Sequence, residues 1–397
     1  MNLVLGIAIA CLAFLLVEAA LLRRAARGIP RRILVTGTRG KSSLVRALIA
    51  GIRTVEPAVW GKITGDVPAI LRPDGTTRVL KRRGPAHLRE QARFLSHCRR
   101  NDAGCVVVES MAISPEAMKA EMRLIRPTLV IITNVRDDHR ETLGADPDRQ
   151  RAAYLESLPE RCRWLTRDED LIAFAARSSH WPEHEPEPEP VSGNGAPDAD
   201  KGRAGINTET SIVSETLATA LAALDLLGWS TGPSRRALAD AAAEVVKPPA
   251  MVTLGGREMI LLDAFSANDA VSLDRLWSEW RRDSGDISGW SVLLNTRADR
   301  PLRTGQFCRW ITGRRDIDEV YVAGSHSSAA ARLLRRHGLR INRLPARGVS
   351  VSSTSGPAGS PTGSGLMGSG RVLVGIGNAG GLGLELRTAA SAGGRVE

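Results

Sequence analysis

The feature that most restricts what this chain can fold into is a short run near its beginning. Gly37-Thr38-Arg39-Gly40-Lys41-Ser42-Ser43 stands between an apolar segment, Arg32 to Thr36, and a segment from Ser42 to Ile52. The second segment carries Leu44, Val45, Leu48, Ile49 and Ile52 at helical spacing. Strand, glycine-rich turn and helix in that order form a phosphate cradle. The glycines let backbone N–H groups close around an anion, and the helix N-terminus adds the positive end of its dipole. In such a loop Lys41 reaches the β- and γ-phosphates and the Ser42 hydroxyl reaches Mg²⁺. The longer Walker pattern wants glycine where Val35 stands, so this is a shortened P-loop.

Two further apolar runs end in polar residues. Gly104 to Val108 leads into Glu109 and Ser110, and Leu129 to Thr133 leads into Asn134, Asp137, Asp138 and His139. Repeated delivery of polar side chains from strand ends predicts a parallel α/β sheet with its site at the carboxyl edge. Glu109 is then placed as a Mg²⁺ ligand beside the P-loop, or as an ordinary strand-end acid. His139 could ligate a second metal as neutral imidazole, or satisfy a loop hydrogen bond.

From about Lys247 the pattern restarts. Glu258–Asp263, Trp290–Asn295, Glu319–Ala323 and Val372–Ile376 read as strands of a second, smaller α/β domain, with Pro248-Pro249 as a hinge. Pro182 to Gly205 and Val349 to Gly370 read as flexible inserts. A helix is expected over about Ser214 to Leu227. Gly375-x-Gly377-x-x-Gly380 follows the last strand of its domain rather than the first strand of a dinucleotide unit, which argues for a tight turn and against NAD or FAD.

At the other end, Leu3 to Leu22 is apolar apart from Glu18 and is followed by Arg23, Arg24, Arg27, Arg31 and Arg32. Twenty residues of helix reach about 30 Å, so a transmembrane anchor over 1–24 is expected, with the rest of the chain on the cytoplasmic side of the plasma membrane. The expected division is this anchor, an ATP-binding domain over 25–246 with its insert at about 182–205, and a C-terminal domain over 247–397 with its insert at about 349–370. The net charge is +11, with 54 Lys and Arg, of which six are Lys. Aromatic residues make up only 4%, too few for a stacking platform, so nucleic acid is a poor partner. The five cysteines form no CxxC pair, which points away from a zinc site or a disulfide framework.

Taken together, these motifs resemble the Mur ligase superfamily, whose ATP-dependent members join a carboxylate to an amine. More narrowly, the chain is similar to the ligase subunit of poly-γ-glutamate (capsule) synthase. The narrower likeness rests on Lys62-Ile63-Thr64-Gly65, Arg83 to Gln91, Val108 to Ala112, Ala264 to Asp269, Leu294 to Arg300 and Gly375 to Gly380. The resemblance implies ATP and Mg²⁺ as cofactors. It implies that Gly37, Thr38, Arg39, Gly40, Lys41, Ser42 and Ser43 bind the phosphates. Thr64 and Glu109 would help hold Mg²⁺, and His139 would ligate a second Mg²⁺. Asp263 and Asn268 match part of the family's nucleotide-contacting loop, and Arg297 or Arg300 would close over the γ-phosphate. The catalytic set so implied is Lys41, Glu109, His139 and Arg297.

The family often carries Asn where Ser214-Glu215-Thr216 stand here. Its carbamylated lysine has no evident counterpart, Lys119 and Lys201 being poor candidates. The implied partners are glutamate, the growing polyglutamate chain and small integral-membrane subunits. Three other readings stand beside this one: a membrane-tethered Mur-like ligase with another substrate, a nucleotide-switched scaffold that makes no bond, and an Arg-rich nucleic-acid motor.

Overall fold

In the computed structural model, the residues described are 5–9, 12–13, 24, 26–65, 68–82, 84, 86–136, 140–144, 146–178, 208–243, 250–254, 256–265, 267, 270–283, 289–298, 300–344, 351–352 and 371–392. The chain divides into two compact units. One holds Met1–Gly205 with Thr210–Val245, and the other holds Ile206–Glu209 with Val246–Glu397.

The first unit is built on a seven-stranded sheet. Its strands are β1 (Arg31–Thr36), β2 (Val59–Ile63), β3 (Ala69–Leu71), β4 (Thr77–Val79), β5 (Cys105–Glu109), β6 (Leu129–Ile132) and β7 (Arg163–Thr166). The order across the sheet is β4-β3-β2-β5-β1-β6-β7. The five strands from β2 to β7 in that order are parallel, and β3 and β4 add an antiparallel hairpin at one edge. Central β1 and β5 are apolar almost without interruption because helices cover both their faces.

Alternation divides the side chains between those faces. Ile33, Val35, Val107 and Ile131 pack beneath α1 (Lys41–Arg53), together with Ala220, Ala223 and Leu224 from the 19-residue helix Thr208–Leu226 and Leu238 from helix Gly232–Ala243. Leu34, Val106, Val108 and Val130 face the other layer, made by α2 (Leu88–Arg100), α3 (Pro115–Ile125) and the two helices Pro147–Ser157 and Glu169–Arg177. Glu109 falls on the α1 side, in step with Val107, and Lys62 falls on the α2 side, in step with Trp60.

The second unit holds another seven-stranded sheet. Its strands are β8 (Ala250–Leu254), β9 (Arg257–Ala264), β10 (Trp290–Thr296), β11 (Glu319–Gly324), β12 (Arg340–Arg343), β13 (Val351–Ser352) and β14 (Val372–Gly377). They run in the order β12-β11-β10-β14-β9-β8-β13, parallel from β12 to β9 and antiparallel at β8 and β13. Trp277, Trp290, Phe307 and Ile311 fill one side, where helices Ala270–Asp283 and Pro301–Thr312 lie. Phe265, Leu293, Leu373 and Leu386 fill the other, under helix Leu382–Ala392.

The two-sheet α/β architecture agrees with the expected fold class, but the expected N-terminal transmembrane helix does not hold. Among the described residues no helix is long and apolar enough to cross a membrane. Of the run Leu3 to Leu22, residues 5–9 and 12–13 are described, and they are helical. The long helix Thr208–Leu226 is broken in its apolarity by Glu209, Glu215 and Asp225. The expectation of a single-pass plasma-membrane location, which rested on that helix, is withdrawn with it. The inserts expected over 182–205 and 349–370 and the hinge at Pro248-Pro249 lie outside the described residues, apart from Val351 and Ser352, which pair with β8.

Candidate active site

The end of β1 turns into α1 through a loop that only glycine can close. Gly37 has φ +119°, and a Cβ there would lie 2.3 Å from Thr133 Oγ1 and 2.8 Å from the Asn134 carbonyl oxygen. Gly40 has φ +77° with open space around it and caps α1 without any side-chain hydrogen bond. The first turn of α1 holds no acid. Its N-terminal N–H groups therefore face outward with a positive dipole and no built-in anion, which is the electrostatic condition for phosphate binding.

Asn134, at the end of β6, holds the loop in shape. Its side-chain oxygen accepts from Thr38 Oγ1 at 2.7 Å and from the Arg39 N–H at 3.1 Å, and its carbonyl accepts from the Thr38 N–H at 2.8 Å. The Arg136 N–H returns a bond to Thr38 Oγ1 at 2.9 Å. Lys41 Nζ donates to the carbonyls of Gly37 at 2.6 Å and Thr38 at 3.3 Å, so its charge sits over the loop. Ser43 follows it in the first turn of α1.

Three of the expected magnesium-site residues come together beside this loop. Ser42 Oγ donates to Glu109 Oε2 at 2.9 Å, and the Thr64 N–H donates to the same oxygen at 2.9 Å. Thr64 Oγ1 donates to the Ser110 carbonyl at 3.2 Å. Glu109 and Thr64 are buried, and a Cβ on Gly65 would stand 3.1 Å from Ser42 Oγ and 3.7 Å from Glu109 Oε1. Glycine at that position keeps the space in front of the carboxylate open. Among the described residues no group of three His, Cys, Asp or Glu gathers that could hold a metal. A carboxylate and hydroxyls beside a phosphate cradle are nevertheless the hard-oxygen set that suits Mg²⁺, which shares its shell with substrate phosphates and water. The residues fit that ion. His139 and Asn268 lie outside the described residues.

Behind the carboxylate lies a polar layer that the motifs did not reveal. Lys62, Gln91 and Glu121 are each no more than 1% exposed. Lys62 Nζ donates to Gln91 Oε1 at 2.8 Å, and Gln91 Nε2 donates to the Glu109 carbonyl at 3.0 Å and to Glu121 Oε1 at 2.9 Å. Burial pushes the Lys62 ammonium down to about 8, against the opposing attraction of Glu90. Lys62 and Gln91 stand in two of the runs that carry the family likeness, and the further signals were a lysine inside the apolar segment Val-Trp-Gly-Lys-Ile and polar residues on the apolar faces of α2 and α3.

In the second unit, Asp263 is the last residue but one of β9 and is claimed by an arginine the sequence did not flag. Arg387 donates from Nε to Asp263 Oδ2 at 2.6 Å and from a terminal nitrogen to Oδ1 at 2.8 Å, and the Phe265 N–H donates to Oδ1 at 3.1 Å. A nucleotide hydroxyl reaching Asp263 would share an oxygen with Arg387. Arg297 and Arg300 follow β10 and, with Arg303, Thr304 and Asn378, line a small cavity at the carboxyl edge of β10 and β14.

The glycines after β14 have packing reasons. A Cβ on Gly375 would lie 2.4 Å from the Phe265 ring, and one on Gly377, at φ +95°, would lie 2.3 Å from the Asn295 carbonyl oxygen. Asn295 Nδ2 in turn donates to the carbonyls of Asn378 at 2.7 Å and Gly380 at 2.8 Å. This is the tight turn expected of that run.

Comparison with known proteins adds a family match for the second unit. Residues 250–392 match the family described as the poly-gamma-glutamate synthase CapB C-terminal domain. The capsule biosynthesis protein CapB of Bacillus anthracis is 23% identical over 290 residues, which span 71% of this chain and 60% of that protein. The PGA synthase CapB of Bacillus subtilis is 24% identical over 332 residues, 80% of this chain and 81% of its own length. Among solved structures, the folylpolyglutamate synthase of Mycobacterium tuberculosis complexed with ADP superposes with TM-score 0.56 at 14% identity, covering 94% of this chain and 93% of that one. The UDP-N-acetylmuramate-alanine ligase MurC of Thermotoga maritima gives TM-score 0.50 at 16% identity, covering 92% and 76%. The likeness to the Mur ligase superfamily, on its CapB side, therefore extends from motifs to fold.

Proposed function

We propose that this chain is an ATP-dependent, amide-forming ligase that extends γ-linked glutamate, using Mg²⁺ as the ion that accompanies the nucleotide. The observation that carries the reading is the meeting of Ser42, Thr64 and Glu109 at the mouth of the phosphate loop. The family match over 250–392 supports the choice of a γ-glutamyl acceptor. The N–H groups from Gly37 to Ser43 bind the phosphates, and Lys41 swings from its loop carbonyls to the β- and γ-phosphates. Ser42 and Glu109 hold Mg²⁺, with Thr64 fixing the carboxylate. The ion would supply neutralisation of phosphate charge. In the second unit, Asp263, Asn268, Arg297 and Arg300 are proposed nucleotide contacts, and His139 a proposed ligand of a second Mg²⁺.

The reaction that suits these parts is transfer of the γ-phosphoryl group to a γ-carboxylate oxygen. The bond between the γ-phosphorus and its bridging oxygen breaks and ADP leaves. The amine of the next glutamate then attacks the carbonyl carbon, the carbon–oxygen bond to phosphate breaks, and phosphate and a proton are released. Such transfers depend on positioning and charge more than on covalent help from the protein. The small integral-membrane subunits implied by the resemblance belong to this reading as partners, to be sought by co-purification.

The test is phosphate release from ATP with Mg²⁺, with and without glutamate or short γ-glutamyl peptides, in the presence of hydroxylamine. Acceptor-dependent turnover and a glutamyl hydroxamate, both lost in Lys41→Ala, are expected. ATP turnover indifferent to every acyl acceptor would refute the ligase reading and favour a nucleotide-switched scaffold.

A further inference from the structure

The buried layer behind Glu109 has no role in the chemistry just described, and it is a poor device for stability alone. Removing charges from water costs several kcal/mol per ion, and apolar replacements of a buried pair are often neutral or stabilising. Lys62 and Glu121 nevertheless lie sealed between the sheet and helices α2 and α3. Their partners are Gln91, Glu90, Ser110 and Met111, which lead on to Glu109 and Thr64.

Two arms leave Lys62. Along the first, Gln91 Oε1 accepts a hydrogen bond from Lys62 Nζ at 2.8 Å, and its Nε2 donates to the Glu109 carbonyl at 3.0 Å and to Glu121 Oε1 at 2.9 Å. Glu121 then accepts from Ser110 Oγ and, at 3.2 Å, from the Met111 N–H. Residues 109–111 are thus gripped at three points from behind, two on the backbone and one on the Ser110 hydroxyl. Along the second arm, Lys62 lies 3.5 Å from Glu90, which is forked by Arg82 at 2.9 Å from both nitrogens. Arg82 also donates to the Thr64 carbonyl at 3.1 Å. One arm ends on the peptide that carries Glu109, and the other ends on the carbonyl of Thr64, whose N–H donates to the same carboxylate.

We propose that Glu121, with Gln91 and Lys62, is a positioning residue: it fixes the direction of the Glu109 carboxylate and so sets the affinity of the nucleotide-bound divalent cation. This rests on the reading of Ser42 and Glu109 as magnesium ligands. Outer groups that orient a metal ligand typically change metal affinity 10–100-fold when lost.

The test uses the full chain, with Mn²⁺ as a spectroscopic stand-in and a non-hydrolysable ATP analogue. The Mn²⁺ dissociation constant is read by electron paramagnetic resonance, and urea unfolding reports the fold. Glu121→Gln, which keeps the shape but loses the charge and one acceptor, is expected to weaken Mn²⁺ about tenfold or more. Affinity for the metal-free analogue should stay unchanged. Ser110→Ala removes a single bond to Glu121 and covers the case in which Glu121→Gln does not fold, with a several-fold loss expected. Leu155→Ala, a core truncation in the same unit, should lower stability and leave Mn²⁺ affinity alone. Loss of stability in Glu121→Gln and Ser110→Ala with Mn²⁺ affinity equal to wild type would overturn the positioning role only. Failure of the wild type to bind Mn²⁺ with the analogue would overturn the ligase reading, and this inference with it.

Discussion

Gly37 and Gly40 both sit at positive φ in the same loop, and alanine at the two positions should behave very differently. At Gly40 a Cβ meets nothing within 4 Å, so alanine there pays only the backbone penalty at φ +77°, about 1–2 kcal/mol. At Gly37 the backbone lies at φ +119° and the new Cβ would stand 2.3 Å from Thr133 Oγ1, 2.8 Å from the Asn134 carbonyl oxygen and 3.0 Å from the Asn134 nitrogen. Two of those three atoms are backbone and cannot rotate away. Strain of about 1–3 kcal/mol adds to overpacking of about 1–3 kcal/mol. A total of about 2–6 kcal/mol is a large part of what holds a domain folded. The chain can lower that cost by moving the end of β6 outward, but Asn134 is the residue that fastens Thr38 and Arg39. Relief of the clash therefore loosens the phosphate loop.

Urea unfolding followed by tryptophan fluorescence, paired with titration of an ATP analogue, separates the two. Gly40→Ala should lower the midpoint only by the amount that about 1–2 kcal/mol allows and keep nucleotide affinity. Gly37→Ala should lose stability by several kcal/mol, or keep it and lose nucleotide affinity by at least tenfold. Adding Thr133→Ala to Gly37→Ala removes the nearest contact but leaves the Asn134 carbonyl in the way, so rescue should be partial. Gly37→Ala that matches Gly40→Ala in both midpoint and affinity would refute the argument.

Gly375→Ala drives a Cβ to 2.4 Å from the Phe265 ring and should cost about 1–3 kcal/mol, with recovery in the double variant Gly375→Ala/Phe265→Leu, read by thermal unfolding. Lys62 ionises at about 8 when folded and at about 10.5 when unfolded, so between those values the unfolded chain holds more protons and stability rises with pH. The unfolding free energy of wild type relative to Lys62→Met should climb by about 3 kcal/mol across that window, and a flat difference would show that the ammonium is not desolvated. Arg387→Ala leaves Asp263 without its two-bonded partner and should cost about 1–3 kcal/mol, while a double-mutant cycle with Asp263→Asn should show strong coupling.

What could be read in the sequence and what could not follow from one physical distinction. β1, β5, β6, β10 and β14 are buried on both faces, so each writes itself as a run of Val, Ile and Leu. Their carboxyl ends were legible for the same reason, since the first polar residue after such a run marks the edge of the sheet. That is how Glu109 was found. β2 escaped because Gly61 and Lys62 interrupt its apolar run, and β7 and β12 escaped because they are edge strands with exposed arginines. The N-terminal apolar run misled, because twenty apolar residues carry the signature of a spanning helix and no such helix is found among the described residues.

The polar layer behind the site was illegible for a deeper reason. Lys62, Gln91 and Glu121 lie 29 and 30 residues apart along the chain, on a strand and two different helices, and nothing in any one segment shows that the three meet. Local pattern registers a polar residue's neighbours in sequence, whereas the energy of burying it depends on partners supplied by tertiary structure. The visible trace was negative. Gln91 and Glu121 stand on the apolar faces of α2 and α3, in step with Phe94, Leu95, Met118 and Met122, where a solvated role is geometrically closed to them. A polar residue on the buried side of an amphipathic helix requires a partner across the interface. Two such residues on neighbouring helices, facing a strand that carries a buried lysine, require one another, and the strand end they share is the one that presents Glu109.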